Sequence, residues 1–356
     1  MNLDDYLPQR VNSGPWLTSY TLHQLRALGH SAKYVLPICS IETPYAKLAV
    51  LGDLVLPPLF HEALDGSLKE RILQRIDVCF PEHELSRGDR PTRPGVRVVE
   101  VSDGVPRPRP QRPRILAFSV DTAVEQHGPH LPLATDTIQS YAVLNQLQSE
   151  VAGIELGRPV EYGQLTWGLP FGFSIDLTAA LLREYVQRFT DAMIDWLQPE
   201  AVYVVDVHGS LVHRQAIVEG LHRSRCQRWA FRWLYGPLAE FTADRKDQHA
   251  GGVETAMVER AGRELVDPRW WPDRMDEIAA GQMPFEKAVE LQGDLPKFFS
   301  YVKSSTHNGV IGEIRNYHQV DAAVMFDRMM NSARSDVESL LSGHAPLRQD
   351  AGEILW

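Results

Sequence analysis

Cysteine is scarce. The chain of 356 residues has three, Cys39, Cys79 and Cys226, which lie far apart and form no CxxC pair. That excludes a disulfide framework and a cysteine zinc site, and reads as free thiols in a reducing compartment. Long apolar runs are missing too. None reaches the ~18–20 uninterrupted residues that a membrane-spanning helix needs. The opening MNLDDYLPQRVNSG has no basic stretch followed by an apolar one, so no secretory signal is expected there. Positive charge is in deficit: 36 Lys and Arg stand against 46 Asp and Glu, a formal charge of -10. A surface for nucleic acid or anionic membrane would need the opposite balance. These absences together predict a soluble, cytoplasmic protein with neither a nucleic-acid nor a membrane partner.

What is present is ordinary globular material. Hydrophobic residues make up 44% and charged ones 23%, enough for a sizeable core. The length allows two or three domains, or one large α/β domain with an extension. The clearest boundary is the stretch 87–114, dense in Pro and Arg, a composition that suits an exposed linker or long loop rather than a helix interior or central strand. It separates an N-terminal extension, 1–86, from a larger domain, 115–356.

That larger domain alternates strand-like and helix-like patterns. The apolar runs 115–120 and 201–205 read as buried strands, and 229–235 as a third. Helical periodicity follows Asp136 and recurs over 177–197, where Pro199 ends it. It returns over 211–223, 255–265 and 321–341. Strands alternating with helices predict an α/β fold with a mainly parallel sheet flanked by helices.

Three segments carry chemistry. The first, 124–136, reads V-E-Q-H-G-P-H-L-P-L-A-T-D and follows the first strand. Glu125 and His127 are two residues apart, so extended backbone puts both on one face. Gly128 and Pro129 force a turn, and Asp136 returns at a helix start. Carboxylate with imidazole suits Zn, Mn or Fe. The second, D-V-H-G-S, places His208 directly after a strand, where parallel sheets build their sites. The third, Q-H-A-G-G-V-E-T, puts His249 and Glu254 on a small-residue loop opening a helix, as candidates for proton transfer or for completing a metal shell. His130 reads as supporting or structural. His213, His307 and His318 read as structural histidines.

These residues resemble the creatininase family. Its first signature, E-x-H-G-x-H-L-P-x-x-T-D, is matched at every fixed position from Glu125 to Asp136. The strand-end turn at His208 and the H-A-G-x-x-E-T run from His249 are similar to its second and third signatures, and 309–312 (G-V-I-G) to a late segment. The resemblance covers roughly 115–340. It implies a creatininase-like α/β sandwich, often hexameric, and so a homo-oligomer. It implies one or two divalent ions held by Glu125, His127, Asp136 and His208, with Asp136 bridging where there are two. Glu254 would be a further ligand or an acid–base group, and His249 would contact substrate or move protons. Ser174, Gly209 and Ser210 would lie on the substrate side. The implied reaction is metal-dependent hydrolysis of a C–N bond in a small-molecule amide, cyclic or linear. Peptidase-like processing of a small peptide and a non-catalytic scaffold are the alternatives.

Two departures stand out. Creatinine-cleaving members carry Glu two residues after the His that corresponds to His208, and this chain has Ser210. The 171–178 loop keeps Gly172 and Ser174 but lacks the family's His. In the extension, L-P-I-C-S-I-E at 36–42 is similar to the family's opening, and Glu42 to Asp53 repeats the spacing of Glu125 to Asp136 with Pro44 in place of the His. A degenerate copy of the first β-unit is the expectation there.

Overall fold

The computed structural model describes residues 16–28, 33–43, 47–48, 51, 54–79, 96–102 and 112–343. The larger domain is built on a four-stranded, all-parallel sheet of order β6-β5-β7-β8. Its strands are β5 (Ile115–Ser119), β6 (Ile154–Leu156), β7 (Ala201–Asp206) and β8 (Trp229–Trp233). β5 and β7 are buried throughout, as continuous apolar strands in a parallel sheet covered by helices must be. The helices are α1 (Thr135–Glu150), α2 (Ala179–Leu197), α3 (Leu211–Arg223), α4 (Gly252–Ala261) and α5 (Ala322–Leu341). Thr178, Ser210 and Asp321 cap α2, α3 and α5 by accepting first-turn N–H groups. The expected α/β class, strands and helices are therefore present. A short antiparallel pair, β9 (Asp247–His249) with β10 (Ile311–Gly312), stands apart from the main sheet.

The first hundred residues hold a second parallel sheet, in the region expected to hold a degenerate β-unit, completed by a strand from the stretch read as a linker. β1 (Tyr34–Cys39) is its centre, flanked by β2 (Leu54–Val55), β3 (Leu59–Phe60) and β4 (Arg97–Val101), all parallel to it. β4 corrects the reading of 87–114 as linker or loop. It is a short β-branched run on an exposed edge, where neighbouring prolines are tolerated.

The two sheets share a connection order. Tyr34 pairs with Leu54 and Cys39 with Phe60. Ile115 pairs with Ile154 and Val120 with Val160. The intervals along both strands are the same in the two units. In each, a helix (Gly66–Cys79 in the first unit, α2 in the second) precedes in sequence a strand on the other side of the centre. Leu54 thus sits where β6 begins rather than where α1 begins, so the spacing from Glu42 to Asp53 does not carry the likeness. Pro44 and Asp53 lie outside the described residues.

The units pack as one core. Phe189 on α2 meets Phe60 and Phe118, one from each sheet, at ring-centroid distances of 5.5 and 5.4 Å. The first unit also reaches toward the E-Q-H-G-P-H segment: Leu133 N–H donates to Tyr20 O and Ala134 N–H to Thr18 O. Among the described residues, no helix is long and apolar enough to cross a membrane. The three cysteines are free.

Candidate metal centre

β5 ends at Ser119 and β7 at Asp206, side by side, so the loops that follow them open on the same edge of the sheet. From β5 the chain runs through Glu125 and His127, turns at Gly128, and reaches Asp136 in the first turn of α1. Gly128 has a φ of +70°, and a Cβ there would lie 2.9 Å from Val310 Cγ2, so the turn needs glycine. From β7 the chain delivers His208. The Asp206 carboxylate accepts the His208 N–H at 2.8 Å and fixes that turn. His249 ends β9, and Glu254 stands in the first turn of α4.

These loops bring together all six residues singled out as ligands or proton carriers. Their donor atoms form three overlapping groups, Glu125–His127–His249, Glu125–Asp136–His208 and His127–Asp136–Glu254, each with its atoms within 4.8 Å of one another. His127 Nε2 is 3.4 Å from Asp136 Oδ1 and 3.9 Å from Glu254 Oε2. His208 Nδ1 is 3.1 Å from Glu125 Oε2 and 3.5 Å from Asp136 Oδ2. His249 Nδ1 is 3.7 Å from Glu125 Oε1. Asp136 belongs to two of the groups, with one oxygen toward His127 and the other toward His208.

The donor set fits divalent cations. Glu125, Asp136 and Glu254 are all nearly inaccessible to solvent, and three buried carboxylates this close need positive charge among them. The ring nitrogens are aimed accordingly. His127 Nδ1 donates to Glu125 O at 3.0 Å, and His249 Nε2 donates to Gln126 O at 2.8 Å. The opposite nitrogen of each ring faces the carboxylates, the side on which a metal-binding imidazole offers its lone pair once any proton there is displaced. His127 Nε2 is buried and has no hydrogen-bond partner.

Charge follows from this crowding. Burial opposes protonation of His127, but Asp136, Glu125 and Glu254 outweigh it and push its pKa up to about 10. His208 is likewise held well above the usual imidazole range, because Glu125 and Asp136 overcome its burial. Burial and the neighbouring His127 press His249 down to about 4, so it is neutral. Burial raises Glu254, His127 opposes, and Asp136 raises it again.

In a chelated preparation the two imidazolium protons therefore neutralise the carboxylates, and a divalent cation must displace them. Glu254, pushed up to about 8, adds one more, so cation binding at pH 7 is expected to release about three protons, read by calorimetry in buffers of different ionisation enthalpy. Release of none would contradict this account. The sign for stability follows. Folded-state pKa values above the unfolded ~6.5 stabilise fully below that pH. The chelated protein should lose that contribution as pH climbs toward about 10.

The remaining predicted residues take other places. Ser174 is buried, accepting Gln126 N–H at 3.1 Å and donating to Gly172 O. Ser210 caps α3 and donates to Gln164 Oε1 at 2.7 Å. Gly209 is exposed, with nothing within 4 Å of where its Cβ would be. His130 stands outside the donor groups, with Nε2 at 2.8 Å from Thr255 Oγ1 and its ring stacked on Trp271. His213 is a buried structural imidazole: its Nδ1 accepts Gln164 N–H and its Nε2 donates to Val120 O. Sequence reasoning passed over Thr122, whose hydroxyl bridges the Glu125 and Asp136 carboxylates. A hydroxyl residue three positions before Glu125 carries no signal of its own. It also passed over Asp206, for which an Asp two residues before a strand-end His was a usable sign.

The family description "Creatininase: Creatinine amidohydrolase" matches residues 117–336. Solved structures similar to the chain include a candidate creatinine amidohydrolase from Bacteroides fragilis NCTC 9343, at 15% identity over 68% of this chain and 92% of that one, with a TM-score of 0.46. A creatinine amidohydrolase (creatininase) is similar at 14% identity over 64% and 91%, TM-score 0.45. A structure described as creatininase Mn is similar at 14% over 62% and 91%, TM-score 0.44. No curated protein matches the chain.

Proposed function

The chain belongs to the creatininase family, and from that premise we propose that it is a metal-dependent amidohydrolase that cleaves a C–N bond of a small, cyclic or linear amide. The observation that carries this is the sharing of Asp136 between two three-donor groups. Glu125, Asp136 and His208 would hold one cation. His127, Asp136 and Glu254 would hold a second, of Zn, Mn or Fe. When bound, such ions supply Lewis acidity that polarises a carbonyl and acidifies water.

The chain's own residues do the rest. Glu254, buried and ionised once a cation beside it has displaced its proton, takes a proton from the attacking water and returns it to the leaving nitrogen. His249, neutral and anchored through Nε2, presents Nδ1 as an acceptor beside it. The exposed backbone at Gly209 offers a mouth for substrate and an N–H for a developing oxyanion.

Ser210 stands where creatinine-cleaving members carry a carboxylate. Its hydroxyl is spent on a helix cap and on Gln164. Glu254 would supply the third donor in its place, and a substrate other than creatinine follows. Three buried carboxylates held against imidazoles are costly to keep without ions, which favours an enzyme over a scaffold. A cytoplasmic homo-oligomer is part of the same reading. So is a duplicated β-unit whose first copy keeps the strand order and carries no donor set among the described residues.

The test is chelation followed by a panel of small linear and cyclic amides. Hydrolysis should vanish on metal removal and return with Mn or Zn. Full activity in a chelated, metal-free preparation would overturn the proposal.

A further inference from the structure

Gln126 sits between two of the proposed ligands, and every polar group it has is committed. Its backbone N–H donates to Ser174 Oγ at 3.1 Å. Its backbone carbonyl accepts from His249 Nε2 at 2.8 Å. The side-chain Oε1 accepts Gly128 N–H at 3.2 Å, and Nε2 donates to Asn308 O. One buried residue therefore joins four pieces of chain: its own turn, the 172–174 loop, the end of β9 and the segment leading into β10. The late G-V-I-G segment gains a role from this. A Cβ on Gly309 would lie 1.7 Å from Gln126 Oε1, and the backbone there has a φ of +91°, so glycine lets the segment close over the amide.

We propose that Gln126 is a positioning residue that holds the turn carrying Glu125 and His127, with His249 beside it, and so sets the cation affinity of the site. The mechanism is local. The bond from His249 Nε2 to Gln126 O fixes the His249 tautomer with Nδ1 toward Glu125. Gln126 O stays in place only while the peptide carrying it is held, and that hold comes from Ser174 on one side and the amide's bonds to Gly128 and Asn308 on the other. With the amide's bonds gone, the Glu125–His127 turn is free to twist and His249 loses its anchor.

This rests on the two-cation reading above. The experiment uses Co(II) as probe on the full chain. Titration gives affinity, the visible absorption of the bound ion gives its coordination, and thermal melting of the chelated protein gives stability. Gln126→Met removes both amide functions at similar volume. It should weaken Co(II) binding about 10–100-fold and change the absorption band, with kcat/KM falling in step. Ser174→Ala deletes one hydroxyl and should shift affinity the same way by less, at near wild-type melting, so it carries the test if Gln126→Met does not fold. Wild-type affinity and spectrum in a folded variant would overturn the positioning role. A wild-type chain that binds no Co(II) would instead sink the reading beneath it.

Discussion

Asp136→Asn should strip the protein of both cations and lower kcat/KM by about 10⁴-fold or more, equivalent to about 5.4 kcal/mol of transition-state stabilisation. Asn has nearly the same shape, and Thr122 Oγ1 can still bond the retained oxygen, so the first turn of α1 keeps its packing. What is lost is the charge on the side chain common to the Glu125–Asp136–His208 and His127–Asp136–Glu254 groups. An amide presents one weak donor where a carboxylate presents two, and its nitrogen would point at His127 or His208, 3.4 and 3.5 Å away. Elemental analysis and steady-state kinetics measure the two effects. Two bound ions and wild-type turnover in this variant would refute the bridging role.

Glu254→Gln should have the next largest effect. The Glu254 carboxylate accepts Ala250 N–H at 2.6 Å and lies 3.9 Å from His127 Nε2. Gln keeps an oxygen for Ala250, so the loop between β9 and α4 should hold its path. It cannot take a proton from water, and it supplies no negative charge to the group with His127 and Asp136. We expect kcat to fall by about 10²–10⁴-fold, the range for a lost acid–base group, with ion content dropping from two to one. Undiminished turnover would assign proton transfer elsewhere, with His249 the neighbour best placed to carry it.

The difference between these variants reflects where each residue sits in the fold. Asp136 is anchored on a helix that packs on the central sheet, and its neighbours in sequence already point at it. The segment from Glu125 to Asp136 was legible because its constraints are local: a period of two on extended backbone, a glycine–proline turn and a helix start. His208 was legible because a strand-end histidine in a parallel sheet has one edge to face. Glu254 could be named as a candidate from its loop, but its partners could not. Only folding shows that α4 closes over α1 and brings its first turn to His127.

The first unit was much less legible, for physical reasons. β2 and β3 are two residues each, too short for any periodicity. β4 is an edge strand embedded among prolines and arginines, the residues that usually argue against a strand. The likeness to the second unit lies in register, Tyr34 to Leu54 and Ile115 to Ile154, which no spacing of side chains along the chain records. Gln126 was hidden for a related reason: its partners Ser174, His249 and Asn308 come from three distant stretches.

Anomalous diffraction from crystals grown with Mn(II) tests the central claim most directly. The account predicts two peaks with the Asp136 carboxylate between them, one beside His208 and Glu125, the other beside His127 and Glu254. Crystals saturated with the ion but showing no peak among these side chains, or one displaced from Asp136 altogether, would contradict it.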